Sequence, residues 1–257
     1  MNTYRIPNLA RACRVLRLFA GSDERLTSSS VAQRLGVPRT TALRILHTFC
    51  EEGLLVRQDR VFHAGAELLR LGLRALGAVR VRELAVPVLK ALSIATGETV
   101  HLALLAGDKS LIAEVCDSPH PVRVASRPGT LVDLHASATG KVFLAFALRA
   151  ELRRVLTGLD LAARTPRTLT TRAALEVECD RVLRLGYAID DEGYFPGVRC
   201  VAAPVWDASS AVAAAIGVTG SAVSVPRRRI PAMGREVMAA AAKLSTGLGH
   251  GAVAAAG

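Results

Sequence analysis

The chain is 257 residues long, 51% hydrophobic, and carries a formal net charge of +11. That is enough for two modest domains or one large one, with apolar content for a real core. Five scattered cysteines (Cys13, Cys50, Cys116, Cys179, Cys200) with no CxxC pair argue against a disulfide framework and a zinc ribbon, and fit a reducing cytoplasm.

The charge is uneven. Residues 1–80 hold 13 arginines, no lysine and 6 acidic residues, whereas residues 81–257 hold 20 basic and 16 acidic ones. The excess gathers where a polyanion would be bound. No charge-free apolar run of 18 residues occurs, so no membrane span is expected. Arginines 5, 11, 14 and 17 interrupt the N-terminal apolar residues, which leaves no signal-peptide core.

In chain order, residues 6–20 predict a first helix with Leu9, Ala12, Cys13, Leu16 and Ala20 on one face. Residues 26–65 then read as two short helices around a glycine turn, followed by a hairpin: a winged helix-turn-helix. Thr27 or Ser28 caps the first helix, although the third helical position holds Ser30 rather than the Glu or Gln of a capping box. Gly36 ends it, and Pro38 fits the first turn of the second helix. At about 100° per residue, Ala42, Leu43, Leu46, Phe49 and Cys50 form an apolar arc. Thr40, Thr41, Arg44 and Thr48 form the opposite arc, with Arg39 at the helix entry. Hydroxyls and guanidinium groups reach phosphates and base edges. Residues 54–57 and 60–63 flank a turn at Gln58-Asp59, making a candidate wing with Arg57 and Arg60 on the flanking backbone.

Residues 67–82 predict a connecting helix with generous apolar faces and a dimer contact. Beyond it, residues 86–96 read as a helix, and 100–106 and 110–116 as a hairpin around Gly107-Asp108. Residues 122–125 read as a short strand, 136–148 and 173–185 as helices, and 187–190, 198–206 and 212–219 as strands. A helix over 231–248 comes last. This pattern predicts an α+β domain with an antiparallel sheet flanked by helices.

Several segments carry a resemblance to a known family. RVLRLFA, LGVPRTTALRILHTF and EEGLL in the first part, and TGETVHLALL, PGTLVDLHASATGKVFLA, TLTTRAAL and GYAIDDEGYFPGVRCVAAPVWD in the second, resemble the IclR-type transcriptional regulators, named for the isocitrate lyase regulator. The resemblance implies a winged helix-turn-helix at residues 1–66, a linker helix at 67–82, a GAF-like effector-binding domain at 83–250 and a disordered tail at 251–257. It implies dimers or dimers of dimers, a double-stranded operator, a small organic acid as effector, and no cofactor or metal. LHASATGK resembles the loop and helix start that face the ligand, with His135, Ala136, Thr139 and Gly140 at the site. A helix start suits a carboxylate. Asp190 and Cys200 match pocket positions. Gly217 and Thr219 stand where the family often has two small hydroxyl residues. Gly217 departs from that pattern and is expected to leave room for a larger or less polar ligand than glyoxylate or pyruvate.

Two other classes compete. Cys200, His135 and Asp190 include the residue types of a thiol hydrolase, but no nucleophile motif surrounds Cys200. No phosphate loop, GxGxxG after a strand or HExxH occurs either. No catalytic residue is therefore assigned. A sequence-blind architectural DNA binder would leave the large second domain unexplained.

Overall fold

The computed structural model describes residues 6–19, 26–77 and 80–251. It divides into two compact units, residues 1–78 and 79–257. The expectations for residues 1–5, for Ala20, for residues 78–79 of the connector and for the tail from residue 252 lie outside the described residues.

The first unit contains α1 (Pro7–Leu18), α2 (Ser28–Leu35), α3 (Arg39–Glu51), β1 (Leu55–Gln58), β2 (Val61–Ala64) and α4 (Ala66–Gly77). Its core joins Val15, Leu26, Val31, Ala32, Ala42, Leu46, Phe49, Leu55 and Phe62. The face of α1 is rotated from the expected one, because Val15 is buried while Leu9 and Cys13 are exposed. Leu43 is also exposed, at 37%, and Ile45 packs against the core in its place.

Thr27 caps α2, and a capping box forms with serine doing the work expected of Glu or Gln. The Ser30 N–H donates to Thr27 Oγ1 (3.2 Å), and the Thr27 N–H donates to Ser30 Oγ (2.9 Å). Gly36 leaves the helix at φ 62°, a left-handed conformation that glycine tolerates. Pro38 is the N-cap of α3 rather than its first helical residue, and its carbonyl accepts the N–H groups of Thr41 and Ala42. The hairpin turn falls on Asp59 and Arg60, one residue later than expected, since Gln58 pairs with Val61. Asp59 takes φ 56°, a strained choice that aspartate accepts more readily than most side chains. Leu55 and Phe62 share a face of the hairpin and both enter the core.

α4 closes the described part of the first unit, and α5 (Arg80–Thr96), which carries Pro87 inside it, opens the second. The second unit continues with β3 (Thr99–Ala106), β4 (Lys109–Cys116), β5 (Leu131–Asp133), α6 (Ala138–Val142), α7 (Leu152–Gly158), α8 (Arg172–Leu185), β6 (Ala188–Asp191), β7 (Val198–Trp206), β8 (Val212–Ser221) and α9 (Ile230–Gly247). Residues 122–125 are not a strand, and Val122 is fully open to solvent; the edge strand is β5, which lacks a clear alternation. The expected helix over 136–148 is α6 followed by a π-helical turn, Phe143–Ala147, in which the Leu148 N–H reaches back to Phe143 O (2.9 Å).

The strands form an antiparallel sheet in the order β5-β4-β3-β8-β7-β6. Side chains alternate between its faces. One face sends Val100, Leu102, Val201, Ala203, Ile216 and Val218 into a core with α5 and α9. The other sends Ala103, Ala188, Cys200, Ala202 and Ala215 toward α6, the π-helical turn, α7 and α8. Small residues on this second face let α6 approach closely. Gly140 on α6 shows how closely, because an added Cβ would run into the backbone of Leu134. No helix among the described residues is long and apolar enough to cross a membrane.

Replacing Thr27 with Ala removes the capping oxygen and should destabilise the first unit by about 0.5–2 kcal/mol. A denaturant titration of the full chain, followed by circular dichroism, measures it; an unchanged midpoint would show the box to be energetically idle.

Candidate functional site: an exposed helix and an enclosed cavity

In the first unit the free surface belongs to α3. Arg39, Thr40 and Arg44 are exposed and Thr41 is half-buried. Thr41 and Arg44 border a recess with Asn8 and Ala12 of α1. The Thr48 hydroxyl donates back to the Arg44 carbonyl (3.0 Å), which leaves it less available than its arc position implies. His47, given no role in the sequence reading, and Leu43, expected on the apolar arc, are exposed on the same helix. In the wing, Arg57 Nε donates to Asp59 O (2.6 Å) and its guanidinium lies 6.0 Å from the Phe62 ring centre, so Arg57 also braces the turn. Arg60 is exposed at the tip. No acidic residue occurs on α3 before Glu51.

In the second unit a cavity of about 290 Å³ opens on the small-residue face of the sheet. Thr139, Asp190, Cys200 and Thr219 line it, as do His101, Ser137, Tyr194 and Phe195, which the sequence reading did not assign. Its floor is a cross-strand row. Asp190 pairs with Cys200, and Cys200 with Thr219. The next row on the same face runs Ala188, Ala202, Gly217 and His101.

Four predicted residues stand away from the lining. Buried His135 turns its Nε2 to the Ala162 carbonyl (3.0 Å) and ties down the loop before α8. Ala136 is buried, and Gly140 is pressed against Leu134. Gly217 lies beneath the imidazole of His101, so the room expected from the missing side chain is filled by a neighbour's ring.

The wall carrying Tyr194 and Phe195 is held from outside. Their rings meet edge to face at 4.9 Å, and Arg164 sits 4.4 Å above the Tyr194 ring. Arg164 also pairs with Asp133, which Lys109 holds at 2.6 Å. Thr165 and Thr168 hydroxyls donate to the carbonyls of Glu192 (2.8 Å) and Gly193 (2.7 Å).

The site's titratable groups are set by burial. Burial pushes the Asp190 carboxyl up to about 6, against the pull of Lys141 and of the Gly193 (2.7 Å) and Tyr194 (3.1 Å) N–H groups it accepts. Burial pushes the Cys200 thiol up to about 12, with Thr219 opposing, which keeps it protonated and a poor nucleophile. Burial lowers His101 to about 4, so its imidazole is neutral. No group of residues with metal-ligand character occurs among the described residues.

Two family models match the chain. The IclR helix-turn-helix domain covers residues 8–59, and the C-terminal domain of the bacterial transcriptional regulator IclR covers residues 73–246. The HTH-type transcriptional regulator BhcR of Paracoccus denitrificans is 36% identical over 93% of this chain and 86% of its own length. The HTH-type transcriptional regulator XynR of Escherichia coli is 30% identical over 95% and 98%. A solved IclR homolog from Microbacterium hydrocarbonoxydans, complexed with 4-hydroxybenzoate, is 27% identical, has a TM-score of 0.80, and is covered over 98% with 94% of this chain.

The raised Asp190 predicts a pH dependence. With a folded value near 6 against the ordinary carboxylate value of 3.8, its protonation supports the fold below about pH 4, and that support is lost as pH rises through 6. Asp190→Asn can still accept the two backbone N–H groups. It should flatten the fall in melting temperature between pH 4 and pH 7; a variant that follows the parent curve contradicts the assignment.

Proposed function

The chain belongs to the IclR family of DNA-binding transcriptional regulators, and on that premise we propose that it reads a pseudo-palindromic operator as a homo-oligomer and answers to a small organic acid. The observation that carries the reading is the pairing of two features in one chain: a basic, hydroxyl-bearing helix face and an enclosed cavity of ligand size. The DNA-binding part comprises residues 1–66, the connector 67–82 and the effector part 83–250, and the protein works in the cytoplasm. Arg39, Thr40, Thr41 and Arg44 engage base edges and phosphates, and Arg57 and Arg60 hold the flanking backbone.

The cavity sits at the small end of the roughly 300–1,000 Å³ of small-molecule pockets, and most of its wall surface is apolar, although Arg127 and several hydroxyl residues are in the lining. A ring-sized or short-chain carboxylic acid fits it, and the solved relative's 4-hydroxybenzoate supports that class. Ser137, Thr139, Thr219 and Asp190 orient the acid's polar ends. Hydrolysis is disfavoured. Cys200 holds its proton to about pH 12, and His135 is engaged by Ala162 rather than by the thiol. Relatives at 30% identity and above are regulators of transcription.

The reading requires ligand to favour one arrangement of the DNA-binding units over another. Fluorescence anisotropy with DNA from beside the gene, against random duplex at the same salt, tests it. Specific DNA should bind at least about 10³-fold tighter. Arg44→Ala should cost about 1–3 kcal/mol on that DNA if the guanidinium is bidentate to guanine. Equal losses on specific and random duplex would instead make Arg44 a phosphate clamp. A bound acid that leaves DNA affinity unchanged would defeat the regulatory part.

A further inference from the structure

His101 is a polar residue in the middle of an apolar strand, TVHLALLA, with both strand neighbours in the other core. It is 4% exposed, it borders the cavity, and its Nδ1 has no hydrogen-bond partner among the described residues. Buried polar atoms without partners are uncommon and costly in folded proteins, so an orphan on a ring that borders a cavity marks a place where a ligand atom belongs.

The ring owes its position to Gly217. The two residues are directly opposed in the β3–β8 register, and any Cβ at 217 would run into Nε2 of the imidazole. A serine there would put a hydroxyl on the floor and expel the ring. This chain has the reverse arrangement, with a glycine on β8 and an imidazole reaching over from β3. Burial keeps that imidazole uncharged at neutral pH. It therefore offers one donor and one acceptor, and cannot neutralise a carboxylate. A hydroxyl, which both donates and accepts, satisfies either tautomer.

We propose that His101, seated over Gly217, is a specificity-determining contact of the cavity, and that the effector is a small, mainly apolar acid bearing a hydroxyl group that this imidazole recognises. The inference rests on the reading of the cavity as an organic-acid site and names the member of that class. The volume of about 290 Å³ limits the ligand to a single ring or a short chain. Discrimination follows from the cost of the unmet nitrogen. A ligand without the hydroxyl leaves it orphaned, so the penalty falls on the deoxy analogue.

Calorimetric titration of the full chain at pH 7.5 with benzoate, 3-hydroxybenzoate and 4-hydroxybenzoate tests this. At least one hydroxybenzoate should bind tenfold or more tightly than benzoate. His101→Leu, close in volume and apolar, should abolish that preference. Gly217→Ala, whose methyl takes the ring's seat from the other side without adding a polar group, should abolish it as well and serves if the first variant does not fold. In the parent protein, the ¹⁵N resonances of the His101 ring should shift with the hydroxybenzoate and not with benzoate. Acids that bind without a hydroxyl preference, or a preference that survives in both variants, overturn the role of His101 and leave the acid-sensing reading intact. If none of the three acids binds, both fall.

Discussion

The burial of one sheet on both faces governs the second unit. β7 and β8 have seven consecutive buried residues each, because helices cover both sides. Alternation then assigns every odd and even residue to a different job. Val201, Ala203, Ile216 and Val218 face α5 and α9 and form a sealed core of branched side chains. Cys200, Ala202, Ala215 and Gly217 face the other way, where the residues are small and space remains. A polar group on the sealed face would have no partner. On the open face it meets the cavity, which is why Asp190, Cys200, Thr219 and His101 all stand there.

The same burial sets the site's chemistry. Three groups that could react in water are turned toward their neutral forms: the carboxyl up, the thiol up and the imidazole down. Such a set is poorly suited to nucleophilic attack and well suited to discriminating neutral polar atoms. Beside the site, Arg199 pairs with Asp191 (2.5 Å) and Glu192 (2.9 Å), and Arg167 and Arg227 join them. That network holds the acidic run after Asp190 in place. It also explains why Asp190-Asp191-Glu192 is not the freely solvated loop that three adjacent acids would suggest.

Much of this was legible in the residues, for physical reasons that differ by element. Gly36 and Gly186 ended helices where a left-handed residue was required, and short apolar runs marked β3, β4, β7 and β8. The wing turn was misplaced by one residue because Asp59 supplies a positive φ that no glycine advertised. β5 was missed because three residues at a sheet edge carry too little pattern. α7 is a seven-residue helix whose two buried leucines are fixed by tertiary packing. Within the site, the predicted positions Asp190, Cys200 and Thr219 on β6, β7 and β8 border the cavity, whereas His135 and Gly140, assigned by their place in a motif, stand away from its lining. Gly217 was read as empty space. Only the strand register reveals that His101, 116 positions away, occupies it.

That exchange bears on how ligand choice changes within one fold. A side chain on a sheet floor is seen by the ligand, but so is the cross-strand neighbour that its size admits or expels. Altering residue 217 therefore changes two groups at once, and in opposite senses: a serine gains a hydroxyl and loses an imidazole. Energies of such directly opposed positions are not additive, since neither substitution is made against a fixed background. Selectivity on this floor belongs to the pair of strands, and the pair has to be varied together to be understood.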